Sequence, residues 1–260
     1  MYSLIIQTRA ISSAGSEHLP YKQGVTGSNP VSPTEKPPSI GGFFNYLIEQ
    51  YITMDIHRTK HWEKVYETKA PNQVSWTQEY PKTSFEIIQS FDLPKTVRII
   101  DVGGGDSKLV DCLLDAGYEN ITVLDISEKA LLRVQYRLGE KASKVNWIVS
   151  DIIKFKPETS FDIWHDRAAF HFLTEEDEIS QYLALASSCV KGYLSIGTFS
   201  KLGPVKCSGL NILQYSKEEL ISAFSSGFNF LDSKTEDHTT PFGTTQNFLF
   251  CSFKKNRIIF

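Results

Sequence analysis

Short apolar runs alternate with amphipathic stretches along most of this chain. A short apolar run bounded by turn residues is typical of a buried strand, whereas apolar residues spaced three and four apart are typical of a helix with one buried face. Strands are predicted at Val97–Val102, Ile121–Asp125, Trp147–Asp151, Phe161–Trp164, Tyr193–Thr198, Phe228–Lys234 and Gln246–Phe253. Helices are predicted at Asp55–Lys69, Thr83–Phe91, Lys108–Ala116, Ser127–Leu138, Thr174–Val190 and Ser216–Gly227. This alternation predicts an α/β fold with a seven-stranded, mostly parallel sheet and helices on both faces.

Residues 1–53 lack this alternation. The stretch from Ile11 to Gly42 is rich in Ser, Gly and Pro and has no sustained apolar period, a composition that favours disorder or loose attachment. Gly27–Pro30 can be encoded by GGT-TCG-AAT-CC, the T-arm signature of transfer RNA genes, so residues 12–33 are interpreted as such a gene read as protein, with an ordinary linker as the alternative. Residues 1–53 are therefore predicted to be a disordered or misread extension, and the domain to span residues 54–260, from Met54.

Composition and charge narrow the class of protein. The chain has 260 residues, of which 41% are hydrophobic, and a net charge of −3, which suits one soluble domain and indicates no nucleic-acid partner. The apolar run Tyr2–Ile6 is too short for a signal peptide or a membrane span, so no membrane association is predicted. Four widely spaced cysteines are expected to be reduced, in the cytoplasm. No metal site is predicted, because Arg58 stands between His57 and His61 where a zinc protease carries Glu.

The candidate chemistry lies at the ends of the first three strands. The first strand runs through Asp101 into Gly103–Gly105, and the next two end at Asp125 and Asp151. Because the carboxyl ends of parallel strands meet at one edge of a sheet, these acids are expected to share a ligand-binding rim. Asp106 follows the glycines, where the diphosphate of a dinucleotide would sit, and disfavours a negative ligand there. A cofactor with a cationic sulfonium, an amino-acid head and a ribose fits better, and S-adenosylmethionine is such a cofactor.

In this order the motifs resemble those of the class I S-adenosylmethionine-dependent methyltransferases, and the resemblance covers most of the chain. In that family the glycine turn faces the methionine part of the cofactor, which implies that role for Asp101, Gly103 and Gly105. Asp125 matches the acid that binds both ribose hydroxyls, and its neighbour Ile126 is assigned to the same cofactor site. Charge-assisted hydrogen bonds of this kind contribute about 1.5–3 kcal/mol each.

The resemblance also implies an adenine site, a sheet order and a lid. Asp151 matches the acid that accepts a hydrogen bond from the adenine amine, and Ile152 the residue that covers the ring. The family's sheet has the order 3-2-1-4-5-7-6 with the last strand antiparallel. Related enzymes close a Trp-x-x-x-Tyr segment and a second Trp over the methyl donor, which implies that role for Trp62, Tyr66 and Trp76; the alternative is that each is a core residue.

The catalytic residues are expected after the fourth strand, at His165, Asp166 and His171. A histidine there can take the proton of the acceptor, and Asp166 can orient the histidine or the acceptor. Methyl transfer depends mostly on positioning and desolvation, so one obligatory base need not exist. For His171, and for His238 between the last two strands, a structural role as a hydrogen-bonded loop histidine is placed slightly ahead of catalysis.

The sequence indicates the methyl acceptor less clearly than the cofactor. The Asp-Arg-Ala string at residues 166–168 and the lid-like helix resemble the thiopurine and thiol methyltransferases, which implies a small-molecule acceptor. A protein-lysine methyltransferase is the main alternative, because such enzymes share the fold and an acidic aromatic pocket would suit a lysine. A nicotinamide-dependent oxidoreductase and a non-catalytic nucleotide-binding scaffold are further alternatives. Asp106 opposes the oxidoreductase, and the presence of Gly103, Gly105 and Asp125 opposes the scaffold.

Overall fold

A seven-stranded sheet organises the protein, as shown by a computed structural model that describes residues 57–256. The strands are β1 (Arg98–Val102), β2 (Asn120–Asp125), β3 (Val145–Val149), β4 (Phe161–Arg167), β5 (Val190–Phe199), β6 (Lys206–Cys207), β7 (Leu210–Asn211), β8 (Phe228–Thr239) and β9 (Thr245–Lys255). The predictions for residues 1–53 and for a start at Met54 lie outside the described residues.

The sheet has the order β3-β2-β1-β4-β5-β9-β8, and β6 and β7 form a separate two-stranded hairpin. Strands β1 to β5 pair in parallel, and β9 is antiparallel to both of its neighbours. With β8 and β9 counted as the sixth and seventh strands of the sheet, this is the predicted order 3-2-1-4-5-7-6. The predicted fold class is confirmed.

Helices flank the sheet and connect its parallel strands. They are α1 (residues 57–68 of the described chain), α2 (Lys82–Ser90), α3 (Leu109–Asp115), α4 (Glu128–Leu138), α5 (Glu176–Cys189) and α6 (Lys217–Phe224). Two starts follow from capping: Ser127 Oγ accepts a hydrogen bond from the Ala130 amide, and Ser216 and Glu219 form a reciprocal capping box. Among residues 57–256, no helix has the length and apolarity that crossing a bilayer requires.

The core lies on both faces of the sheet because successive strand residues point to opposite sides. In β1, Ile99 packs in one buried cluster with Leu113 of α3, while Ile100 packs in the other with Tyr182 of α5. Both isoleucines are fully buried. The parallel register then aligns the carboxyl ends of β1 and β4, and it pairs Asp101 with His165.

Two segments differ from the sequence predictions. Strand β8 continues through His238 to Thr239, although residues 237–243 were expected to form a loop. This strand lies at the sheet edge and is polar over its second half, so its pairing with β9, rather than an apolar pattern, extends it. The stretch after β5 was also expected to be a loop, and it contains the β6–β7 hairpin.

Candidate active site

A cavity of about 360 Å³ lies at the carboxyl ends of the parallel strands. The cavity wall includes every predicted cofactor residue except Gly105, which adjoins it beneath Tyr66: Asp101, Gly103, Asp125, Ile126, Asp151, Ile152, Trp62, Tyr66 and Trp76. Of the three predicted catalytic residues, His165 lines the cavity, whereas Asp166 and His171 do not. One space therefore joins the strand-end acids, the aromatic residues and one histidine.

The glycine turn can accommodate no side chain at Gly103 or Gly105. Gly103 and Gly105 have φ values of 64° and 52°, in the left-handed region that side chains disfavour. A Cβ on Gly103 would lie 2.5 Å from the Cβ of Ala169, and one on Gly105 would collide with the Tyr66 hydroxyl. The turn thus forms a narrow cradle beside Asp125, as close approach to a cofactor requires.

Asp125 closes β2 with both carboxylate oxygens in use. Oδ2 accepts a hydrogen bond from the Gly105 amide at 2.9 Å, and Oδ1 accepts one from the Ser127 amide at 2.8 Å. Each oxygen keeps a further lone pair for a ligand hydroxyl. Burial raises the pKa of Asp125 to about 7, and the nearby charges of Asp106 and Asp101 act in the same direction. A ligand that donates a hydrogen bond to Asp125 would therefore stabilise the charged form of this carboxylate.

Arg58 of α1 spans the adenine end of the cavity. Its guanidinium pairs with Asp151 at 3.2 Å and with Glu178 of α5. Both acids are buried, so this pairing fixes α1 above Asp151. Sequence reasoning had used Arg58 only to argue against a zinc site, because its partners lie 93 and 120 residues away.

The predicted lid residues lie together over the glycine turn. The ring centroids of Trp62 and Trp76 are 5.6 Å apart, and Trp62 also packs edge-on against Phe172 at 5.1 Å. Tyr66 is buried above Gly105, where burial and the charge of Asp125 raise the pKa of its hydroxyl well above the usual value. These aromatic groups form the roof of the cavity.

His165 is held by Asp101, the acid next to it across the sheet. The Asp101 Oδ1 atom lies 2.7 Å from His165 Nδ1, and both side chains are buried. An ionised Asp101 makes Nδ1 the protonated nitrogen, which leaves the Nε2 lone pair free. Nε2 is buried and has no hydrogen-bond partner in the described part of the chain. The pair thus offers a proton acceptor at a cavity wall.

Asp166 and His171 stabilise the turn that follows β4. Asp166 accepts hydrogen bonds from the amides of Ala169 and Phe170 and from the Tyr182 hydroxyl at 2.7 Å, and burial raises its pKa to about 6. His171 lies buried against Phe199, whose amide donates to Nδ1 at 3.4 Å, and burial lowers its pKa to about 3. Their side chains serve packing and turn geometry, so they are not carried into the proposed mechanism.

Two further residues secure the far wall. His238 Nε2 lies 2.7 Å from the Ser75 carbonyl and joins β8 to the loop that carries Trp76. Arg167 donates from Nη1 to the Trp76 carbonyl at 3.2 Å and stacks over Phe248 at 4.5 Å. Burial lowers the Arg167 pKa to about 10, so the side chain is still cationic at neutral pH. In the sequence analysis, Arg167 appeared only in the Asp-Arg-Ala string and was assigned no role.

Comparison with known proteins supports the assignment of a methyltransferase. Residues 99–192 match the family described as a methyltransferase domain. The chain is 25% identical over 122 residues to the eEF1A lysine and N-terminal methyltransferase of Mus musculus, in a match covering 46% of this chain and 17% of that protein. It is 24% identical over 199 residues to the EEF1A lysine methyltransferase 2 of Homo sapiens, covering 70% of this chain and 78% of that protein. The chain thus matches only about a sixth of the length of the mouse relative.

Solved structures agree on the fold. Burkholderia thailandensis 1,6-didemethyltoxoflavin-N1-methyltransferase, with its substrate and S-adenosylhomocysteine bound, superimposes with a TM-score of 0.55 at 18% identity, over 87% of this chain and 95% of that one. The N-methyltransferase NodS of Bradyrhizobium japonicum, with S-adenosylhomocysteine bound, gives 0.53 at 14% identity, over 69% and 90%. The sheet order and the methyltransferase domain matched by residues 99–192 support a class I S-adenosylmethionine-dependent methyltransferase. The resemblance inferred from the sequence is confirmed.

Proposed function

We propose that the protein transfers a methyl group from S-adenosylmethionine to a small-molecule acceptor bound beneath the aromatic roof. One observation carries the proposal: a single cavity connects Asp125 and Asp151 to the unpartnered Nε2 of His165. A cavity of about 360 Å³ is in the size range of small-molecule sites.

The residues present fit the cofactor. Asp125 would accept from the ribose hydroxyls, Asp151 from the adenine amine, and Ile152 would cover the ring. The glycine turn, which Ala169 and Tyr66 approach too closely for a side chain at Gly103 or Gly105, would present its backbone to the methionine part. When bound, the cofactor supplies a methyl carbon activated by a sulfonium.

His165 would take the acceptor's proton. The acceptor nucleophile, a thiol, hydroxyl or amine, forms its bond to the methyl carbon while the carbon–sulfur bond breaks and its electron pair stays on sulfur. The proton that the nucleophile loses goes to Nε2 of His165, and Asp101 stabilises the resulting imidazolium through Nδ1. Trp62 and Trp76 exclude water from the site, which strengthens these interactions.

Methylation of a protein lysine is the second candidate. The human relative is named as a lysine methyltransferase and matches 70% of this chain. A lysine would enter as the ammonium and would have to lose a proton before attack, a step that His165 could serve. The cation of Arg167 at the cavity wall opposes an ammonium, and for this reason the small-molecule acceptor is preferred.

Calorimetry and a methylation screen test the proposal. S-adenosylmethionine and S-adenosylhomocysteine should bind with one site, and NADH should not bind. With methyl-tritiated cofactor, small thiols and phenols should be labelled in preference to a lysine peptide. With the best acceptor, His165→Gln should lower kcat by about 100-fold or more at unchanged cofactor affinity. Absence of cofactor binding contradicts the assignment, and preferential labelling of the lysine peptide favours the second candidate.

A further inference from the structure

Arg167 is a partly buried cation whose hydrogen-bonding capacity is only partly used. Nη1 donates to the Trp76 carbonyl, but the buried Nε and Nη2 atoms have no partner among residues 57–256. The side chain lines the cavity, and Ala168 immediately after it adopts a φ of 65° that a non-glycine residue rarely adopts. The end of β4 therefore holds the guanidinium at the cavity wall with two donors free.

The other cations that line the cavity differ from Arg167. Arg58 pairs with Asp151 and Glu178, Lys108 pairs with Glu79, and Arg137 pairs with Asp111. No ion pair among residues 57–256 includes Arg167. Charged donors withdrawn from water without a partner are destabilising, so the guanidinium is suited to an anion supplied by a ligand.

The position of Arg167 in the sheet separates it from the cofactor site. The proposed cofactor residues stand at the ends of β1, β2 and β3, on one side of β4. Its ring contact is Phe248 on β9, and its more distant opposite charges are Glu236 on β8 and Asp101 on β1. In the sheet, β1 separates Arg167 from Asp125 and Asp151, so Arg167 borders the part of the cavity left for the acceptor.

We propose that Arg167 binds an oxyanion of the acceptor, a carboxylate or a phosphate, so that the enzyme methylates small acids. This inference rests on the proposed methyl transfer. Phe172 and Trp76 also line this region and supply apolar surface for the body of the acceptor. The planar fork of an arginine matches both oxyanions through two parallel hydrogen bonds.

The test measures binding of three probes to the full-length protein saturated with S-adenosylhomocysteine. Benzoate, phenyl phosphate and benzamide have the same ring, and only the first two carry an oxyanion. Benzoate or phenyl phosphate should bind at least about tenfold more tightly than benzamide. Calorimetry or tryptophan fluorescence measures the three dissociation constants. The order of the two anions identifies which oxyanion the site prefers.

Two variants assign the preference to Arg167. Arg167→Met keeps side-chain length and should abolish discrimination between anion and amide, while Arg167→Lys should keep part of it. Lys191→Met, at an exposed position on β5 outside the cavity, is the matched control and should retain the discrimination.

Three outcomes overturn the inference. One is equal affinity of the parent protein for benzoate, phenyl phosphate and benzamide while S-adenosylhomocysteine binds normally. Another is a preference that survives in Arg167→Met. The third is a loss of S-adenosylhomocysteine affinity in Arg167→Met as large as the loss of anion binding, which would place the guanidinium on the cofactor. Failure of S-adenosylhomocysteine to bind the parent contradicts the proposed function instead, so the two failures are distinguishable.

Discussion

The charge on Asp125 links cofactor affinity to pH. Its pKa near 7 means that in the free protein the carboxyl group is half protonated at neutral pH. Ribose hydroxyls donate to the charged form, so a protonated Asp125 must release its proton when the ligand binds. The direction follows: affinity is highest above the pKa of Asp125 and falls as the pH decreases through it.

We expect the dissociation constant of S-adenosylhomocysteine to be constant above about pH 8 and to rise about tenfold per unit below about pH 6. Calorimetry in two buffers of different ionisation enthalpy should detect the released proton near pH 7. Asp125→Asn should remove this dependence and weaken binding at pH 8 by about 1.5–3 kcal/mol, or tenfold to two-hundredfold. Asp115→Asn, on an exposed carboxylate of α3, is the control. A flat profile in the parent protein contradicts the role given to Asp125.

At the level of elements, the roof depends on contacts between segments distant in the sequence. Arg133 of α4 donates to the backbone carbonyls of Tyr66 and Lys69, and it also pairs with the buried Asp106 at 3.5 Å. Arg58 ties the other end of α1 to Asp151. The cavity is thus covered by a helix that two arginines hold in place, and the aromatic side chains lie between those two ties.

Trp76→Ala tests whether the roof acts on the ligand. Trp76 is only half-buried and lines the cavity, so its removal should weaken S-adenosylhomocysteine binding by about 0.5–1.5 kcal/mol, the size of one aromatic contact with the ligand. The free energy of unfolding should fall by less than the loss of about 3–5 kcal/mol that is typical when a core tryptophan is replaced by alanine. Tyr80→Ala, at a position 52% exposed in the same loop, should change neither quantity. A large stability loss with normal affinity would make Trp76 a plain core residue.

The strand-end acids were predictable because each one ends a short apolar strand, and such a strand can be recognised from the local sequence alone. Glycines with positive φ were predictable for the same reason. Arg58 and Arg167 were not, since their roles depend on partners brought together by the tertiary fold. Asp166 shows the converse: its place after β4 suggested chemistry, and the fold brings the adjacent amides and the Tyr182 hydroxyl to its carboxylate, which no local pattern records.

For the whole molecule, the fold determines the cofactor side more closely than the acceptor side. Residues 99–192, which match the methyltransferase domain, contain the glycine turn and all three strand-end acids. The far wall joins Arg167 and Phe172, inside that match, to residues outside it: Trp76, Cys207 of the β6–β7 hairpin and Phe248 of β9. Relatives that share the domain can therefore differ in acceptor. For this reason the choice of acceptor rests on the charge of Arg167 and not on the names of distant relatives.

The last prediction concerns how much of the chain the site needs. Every residue proposed to bind cofactor or acceptor lies between Arg58 and Phe172. A protein beginning at Met54 should therefore keep the melting temperature and S-adenosylhomocysteine affinity of the full chain. A protein beginning at Ala70 loses Arg58, Trp62 and Tyr66, and its affinity should fall by at least about tenfold because the clamp and roof are gone. Differential scanning calorimetry and ligand titration distinguish the cases. A melting temperature several degrees lower for the first truncation would show that residues 1–53 belong to the folded domain.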